Sequence, residues 1–596
     1  MENQNNFFTF TTMRPHLYLL LALLCSLFSA CTQQPVHPEK IQGWNILSKS
    51  REDALITISA AKDYNINHLQ LSHKIIMNLR EIRNTDKREL VNELVAKAHA
   101  SGIKEVVLWD HTLYKLDYYP DEFRTGPKGT IDLDNPVFWE WFKNDYRGML
   151  NLIPDVNGIV LTITESGAPA EKQYSEKLKS EPEKLAAVIE AIAQVVCSEY
   201  KKKLYLRTFA YTEAEYNNLI GCMSHIKNQD IILMMKETPH DFFLTHPNDK
   251  YAGTINRPTI IEFDAGNEFN GQGVIANTWP DYVIGRWSKY ITLPNIIGYV
   301  ARTDRYGDTR LIGTPNEILL EALKSYTADT TTTAEMVYDN FITRKYGSGA
   351  LKYLKPAFKM SFDIVTSSLY TLGTNTANHS ALNYDPYRSS YARHVSGKWM
   401  DNPTIYIAHD VNKEFHYWKD VINHIAPPRY KQADGPIRRE APHVIDSAWV
   451  QPEELINEEY LSYIIAEKSY GVNQAEKALV LIRQSKDALA EEDYITLYDL
   501  FERTLLTARL HEAVATAYWG YRVYAQSPKS CSPWFIKTVD EALTYILAAS
   551  KAMEQYDKSV PAGHWKWKKD TDMAKKYYDL IVNGWPEYNN VKFNRR

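Results

Sequence analysis

The sequence predicts an α/β fold, a (β/α)8 TIM barrel followed by a large all-α C-terminal domain. Three observations predict it. Short apolar runs alternate with longer amphipathic stretches, the pattern of βα units laid into a parallel sheet. The runs number eight and span ~270 residues, the size of one such barrel. Beyond Leu311 only helical periodicity remains.

The strand candidates are Gly43–Leu47, His68–Leu71, Glu105–Trp109, Gly158–Thr162, Leu204–Phe209, Ile231–Met235, Thr259–Phe263 and Ile296–Val300. Several are rich in Val, Ile and Leu without clean alternation, as strands covered on both faces are. Helix-period segments lie between them: Glu52–Tyr64, Arg88–Ser101, Pro136–Ile153, Glu183–Lys202 and Ala214–Ile220. The C-terminal helices are expected at Asn316–Thr327, Thr333–Arg344, Ala350–Thr371, Asn473–Ala490, Asp493–Ala525 and Pro533–Gln555, with Pro-rich breaks at Ala426-Pro427-Pro428 and Ala441-Pro442. The expected layout is therefore a signal peptide over 1–30, a tether over 31–41, the barrel over 42–310 and the helical domain over 311–596.

The length, 596 residues, exceeds what one hydrophobic core organises. With 44% hydrophobic and 24% charged residues and a net charge of −5, the composition is globular, and no charge excess points to nucleic acid. The 40 Tyr and 14 Trp are unusual. Aromatic faces suit sugar rings, although helix packing accounts for most of them.

Met13-Arg14 opens a basic n-region, Leu17 to Leu27 is an apolar core of signal-peptide length, and Phe28-Ser29-Ala30-Cys31 resembles a lipobox. The apolar core is too short to span a bilayer as a mature helix. These features predict an exported protein held to the bacterial cell envelope, on the periplasmic or outer-membrane face, through a lipid on Cys31 alone. Cys197, Cys222 and Cys531 match no zinc spacing and are expected as buried thiols. No metal or cofactor is expected.

Enzyme barrels carry their sites at the C-terminal ends of the strands. Those ends are acidic here. They read Trp109-Asp110-His111, Thr162-Ile163-Thr164-Glu165, Arg207-Thr208-Phe209, Lys236 to Asp241 and, past the seventh strand, Asn267-Glu268. Glycosidic cleavage needs one carboxylic acid to protonate the leaving oxygen and a carboxylate to activate water or attack the sugar. Glu165, Asp241 and Glu268 are the catalytic candidates; each alone could equally cap a helix or pair with Lys236 or Arg207. Trp109, Asp110 and Trp279 are candidate substrate contacts, and Arg207 and Lys236 are the two cations among these acids. Tyr114 and Tyr282 could also line subsites, and His111 and His240 are secondary donors at most.

At these residues the sequence resembles the family 67 α-glucuronidases. Lys236-Glu237-Thr238-Pro239-His240-Asp241-Phe242 looks like their Lys-x-x-Pro-x-Asp-Phe motif, and Glu268-Phe269-Asn270-Gly271-Gln272-Gly273 like their Glu-Tyr-x-Gly-Gln-Gly motif. Gly158-Ile159-Val160 leading to Glu165-Ser166-Gly167 resembles the segment bearing their general acid, and Leu206-Arg207-Thr208-Phe209-Ala210-Tyr211 resembles their arginine-bearing strand. The resemblance covers roughly Gly43 to Ala322. It implies Glu165 as general acid, Asp241 and Glu268 as the pair activating water in an inverting mechanism, and Arg207 and Lys236 on the uronate. The family's N-terminal β-domain has no counterpart before the barrel. Where the family carries a Lys upstream of the acid, this chain has Leu161-Thr162.

The leading expectation is an exo-acting inverting glycoside hydrolase releasing a uronic acid or related terminal sugar from oligosaccharide or polysaccharide fragments. Two alternatives stand beside it: a lyase or hydrolase acting on another acidic glycan, and a non-catalytic, lipid-anchored glycan-binding protein. The helical domain is the surface expected for a homodimer.

Overall fold

The computed structural model describes residues 40–596 except 211–212, 239–241, 243, 245–247, 250, 306–308, 372–373, 376–379, 381, 383–456, 561–567 and 596. Cys31, Asp241, His240 and the Pro-rich breaks lie outside the described residues. Eight parallel strands close into a barrel in sequence order: β1 (Ile41–Ile46), β2 (His68–Leu71), β3 (Glu105–His111), β4 (Gly158–Thr162), β5 (Lys203–Arg207), β6 (Ile231–Lys236), β7 (Thr259–Phe263) and β8 (Ile296–Arg302). Strands β2, β4 and β7 lie where the apolar runs predict them. Strands β3 and β8 run two residues further, to His111 and Arg302.

Around the barrel lie α1 (Arg51–Ala60), α2 (Thr85–Ala100), α3 (Pro136–Leu150), α4 (Glu181–Ala193), α5 (Glu213–Cys222), α6 (Pro280–Tyr290) and α7 (Ile318–Ala328). Local chemistry sets their starts. Ser50 accepts from the Asp53 N–H at the head of α1, and Ser180 with Glu183 forms a capping box ahead of α4. Between β6 and β7 there is no helix among the described residues. The final barrel helix, α7, falls beyond Leu311, inside the stretch expected to open a separate domain.

The side-chain period of two divides each strand between two layers. Val107, Trp109, Val160, Tyr205, Ile232, Met234, Ile260 and Val300 point inward and fill the barrel, while their neighbours along the strands pack outward on the helices. The barrel is thus a packed core, and its inward positions above this plug form the mouth.

The remaining helices are α8 (Ala334–Tyr346), α9 (Leu351–Ser368), α10 (Glu458–Gln484), α11 (Glu491–Gln526), α12 (Pro533–Ser559) and α13 (Lys568–Asn583). Helix α10 starts well before the expected Asn473. It carries Gly471, where a Cβ would sit 2.8 Å from the Ser367 Cβ of α9; the two helices meet too closely for a side chain there. Barrel and helices lie within one compact unit, Ile41–Arg596. Phe358 of α9 stacks on Phe501 of α11, and both helices hydrogen-bond the chain segment after β7. Cys197, Cys222 and Cys531 are free thiols, the first two buried. No helix among the described residues is long and apolar enough to cross a membrane.

Candidate active site

The mouth is built from inward positions two residues beyond the plug: His111, Thr162, Arg207, Lys236, Glu262 and Arg302. Strand register sets them side by side, with His111 opposite Thr162, Thr162 opposite Arg207, and Lys236 opposite Glu262. Arg207 Nε donates to Glu262 Oε2 at 2.7 Å, and Arg302 Nε donates to Glu262 Oε1 at 3.0 Å. Arg302 Nη1 reaches Glu268 Oε2 at 2.7 Å, and Arg305 binds the other oxygen of Glu268. The result is a buried row of alternating charge, Arg207, Glu262, Arg302, Glu268, Arg305, with a cation at each end.

Burying ions costs several kcal/mol each, to order of magnitude, unless each finds opposite charge and hydrogen bonds. Glu262 shows the balance. Burial pushes its carboxyl up, but the Arg207, Arg302 and Lys236 charges outweigh burial and hold it down at about 2. Asp264, just past the end of β7, goes the other way. Burial and the nearby Glu268 charge push it up to about 7 against the pull of Arg302. Its Oδ2 accepts the Glu268 N–H at 2.6 Å, so it fixes the backbone of the candidate base.

Arg207 lies with its guanidinium carbon 4.8 Å from the Trp109 ring centre and 5.1 Å from that of Phe209. Among the described residues its Nη1 and Nη2 make no hydrogen bond, so its fork remains available to a ligand. Lys236 Nζ sits between the Phe209 and Phe242 rings, 3.8 and 4.1 Å from their centres. Rings at these distances keep a buried cation in a favourable field.

Glu165 is the exposed member of the set. It follows β4 in the left-handed region at φ 64°, sparsely populated for any residue but Gly and favoured at functional turns. His73, Asn267 and Gln272 at the same end of the barrel share this geometry. The Glu165 charge is felt at His111, which burial nevertheless holds below the usual imidazole range.

Three expected substrate contacts are placed otherwise. Asp110 alternates with inward Trp109 and therefore faces the helices, where it accepts from Leu79 N, Tyr114 Oη and Tyr146 Oη at 2.7–2.9 Å. It is a structural acid, pushed up to about 6 by burial. Trp109 is buried under Arg207, with the His73 ring 4.8 Å away, so it supports the arginine instead of offering a face to sugar. Trp279 heads α6 and packs edge-on against Phe362 of α9. It is buried in the joint between barrel and helices.

Glu262, Asp264, Arg302 and Arg305 were not read from the sequence. The available signal was a Glu inside the run Ile260-Ile261-Glu262-Phe263. A carboxylate enters such a strand only with partners waiting.

No protein-family model and no curated protein matches the chain. By structure it is similar to a GH138 enzyme targeting pectin rhamnogalacturonan II, with TM-score 0.56 and 12% identity over 92% of this chain and 68% of that one. The two share a fold. A Thermobaculum terrenum O-GlcNAc hydrolase and a GH115 4-O-methyl-α-glucuronidase with specificity for decorated arabinogalactans align more distantly. Their TM-scores are both 0.44, at 9% and 11% identity over 92% and 94% of this chain and 96% and 63% of theirs. These neighbours are glycoside hydrolases. The resemblance to family 67 rests on the sequence motifs alone.

Proposed function

We propose that the chain is a glycoside hydrolase acting on a glycan that bears a uronic acid. The observation carrying this reading is the buried charge row. It ends in cations, one of which is an arginine fork supported by an indole and open toward the mouth. A carboxylate on the substrate would complete the alternation, and the planar fork suits it bidentately.

In this reading Glu165 donates its proton to the departing oxygen, and Glu268 with Asp241 activates the attacking water, giving an exo-acting, inverting hydrolase. Arg302 and Arg305 each bind one oxygen of Glu268, which fixes the carboxylate in the mouth. The N-terminal segment ending at Cys31 would place the enzyme on the cell envelope.

The test is hydrolysis of oligosaccharides carrying terminal uronic acids, compared with the same oligosaccharides after carboxyl reduction. Release of the uronic acid, with the reduced analogues slower by at least tenfold, supports the reading. An unsaturated product absorbing in the ultraviolet would make the enzyme a lyase. Binding without turnover would make it a glycan-binding protein.

A further inference from the structure

We propose that His111 and Thr162 form the part of the subsite that reads a free hydroxyl beside the substrate carboxylate, so that the site takes the unsubstituted uronate and turns away its methyl ether. The inference deepens the uronide reading above and rests on it.

His111 and Thr162 are in-register neighbours on β3 and β4, and Thr162 is in turn the neighbour of Arg207 on β5. All three are inward positions, two residues above Trp109, Val160 and Tyr205 of the barrel plug. His111 Nδ1 lies 3.1 Å from the Met77 carbonyl oxygen. A carbonyl only accepts, so Nδ1 carries the proton, and in the neutral ring Nε2 is left as a bare acceptor. Burial, the largest influence on this ring, lowers its proton affinity and keeps it neutral.

Nε2 is buried and has no hydrogen-bond partner among the described residues, and the same holds for Thr162 Oγ1. The two side chains belong to residues only 3% and 1% exposed. Buried polar atoms are almost always paired, so two adjacent orphans beside an open arginine fork mark a place where a ligand or water belongs.

The order across the three strands is acceptor, hydroxyl, guanidinium fork. Strands sit about 4.8 Å apart, so the three groups face one small ligand together. On a pyranuronate the carboxylate stands on C5 and a hydroxyl on the adjacent C4. With the carboxylate on Arg207, that hydroxyl donates to His111 Nε2, and Thr162 Oγ1 bridges the two groups. A methyl ether has no proton to donate and brings a methyl group against a buried imidazole. Sites built to bond a substrate hydroxyl discriminate strongly against analogues lacking it, because the site's own polar atoms are left unpaired.

The experiment is calorimetric titration of the wild-type protein with D-glucuronate, D-galacturonate, their 4-O-methyl ethers, their common 4-deoxy analogue and glucose. Thr162→Val, which keeps the side-chain shape, is titrated with the same set. The better-bound uronate is expected to exceed its methyl ether and the deoxy analogue by at least about tenfold, as for a lost buried hydrogen bond. That margin should shrink but not vanish in Thr162→Val, which removes the bridging hydroxyl and keeps the His111 acceptor. Equal binding of the uronate, its ether and the deoxy analogue by the wild type overturns the proposal and leaves the uronide reading intact; waters then satisfy the two orphans. Failure of every uronate to bind better than glucose overturns the uronide reading itself.

Discussion

The two segments that carry the candidate acid and the candidate base are held in opposite ways. The segment after β7 is tied on every side. Asp264 holds the Glu268 N–H, Ser380 Oγ bridges Gly271 N at 2.7 Å and Glu268 O at 2.9 Å, and Tyr370 Oη donates to Asn270 Oδ1 at 2.5 Å. Further along, Ala276 N donates to Thr504 Oγ1 at 2.9 Å, Asn277 N to Asn316 Oδ1 at 2.7 Å, and Thr278 N to Ser361 Oγ at 3.0 Å. Two of these partners, Thr504 of α11 and Ser361 of α9, come from the helices behind the barrel. In the segment after β4, Thr164 bonds the Phe209 carbonyl, and Glu165 itself is exposed in a left-handed turn. The difference gives the helical region a physical task. It preorganises the carboxylate meant to position water, whereas the acid that must meet many leaving groups stays at the surface.

The sharpest way to break this contrast is to neutralise each carboxylate in turn. Glu268→Gln removes the carboxylate shared by Arg302 and Arg305, leaving Arg302 only its pairing with Glu262, and loss of one partner from a buried ion pair costs about 3–5 kcal/mol. Glu165→Gln should cost less, about 1 kcal/mol or below, because Glu165 is exposed and any ion pair it makes is screened by solvent. Urea unfolding of the two variants measures both, and equal costs would show that the two carboxylates are not held differently.

A second effect is expected in the pH dependence of stability. Glu262 is held at about 2, so its contribution is full above the range in which unfolded carboxylates titrate and is lost as pH falls through about 2. Asp264 and Asp304 are pushed up to about 7, first of all by burial. Between roughly pH 4 and 7 they hold protons that the unfolded chain has released, so stability falls as pH rises through that window and levels off above it. The urea midpoint should therefore be higher at pH 5 than at pH 8, and Asp304→Asn should flatten part of that slope. A midpoint that rises from pH 5 to pH 8 would contradict the assignment.

The smallest effect concerns the ties themselves. Ser361→Ala leaves the buried Thr278 N–H without its acceptor and should cost about 1–3 kcal/mol. The matching change on the acid side, Ser166→Ala, removes a buried hydroxyl that has no partner among the described residues and should be neutral or slightly stabilising. Thermal denaturation of the pair tests whether the asymmetry extends beyond the two carboxylates.

Much of the barrel was legible in the sequence, because buried parallel strands write themselves as continuous Val, Ile and Leu runs such as Ile159-Val160-Leu161. The mouth was legible only in part. Glu165, Arg207, Lys236 and Glu268 stand where strand ends were searched, but Glu262 was hidden inside a run taken to be covered on both faces. Asp110 shows the complementary error. Adjacent residues on a strand face opposite sides, so Trp109 inward already implies Asp110 outward. Trp279 could not be placed from its neighbours, since what buries it is Phe362, far along the chain. The same holds for the joint between barrel and helices: the hydrogen bond from Ala276 N to Thr504 Oγ1 crosses more than two hundred residues and leaves no local pattern.

The most direct test of the account is the leaving-group dependence of the Glu165→Gln and Glu268→Gln variants. If Glu165 is the exposed acid, Glu165→Gln should lower turnover of uronic-acid-bearing oligosaccharides by about 10²–10⁴-fold and that of aryl uronides far less, because an aryl leaving group departs without a proton. Glu268→Gln should be impaired on both substrates alike, since water must be positioned whatever leaves. Equal loss on both substrates for Glu165→Gln, or an unchanged rate for either variant, would contradict the division of labour between the two segments.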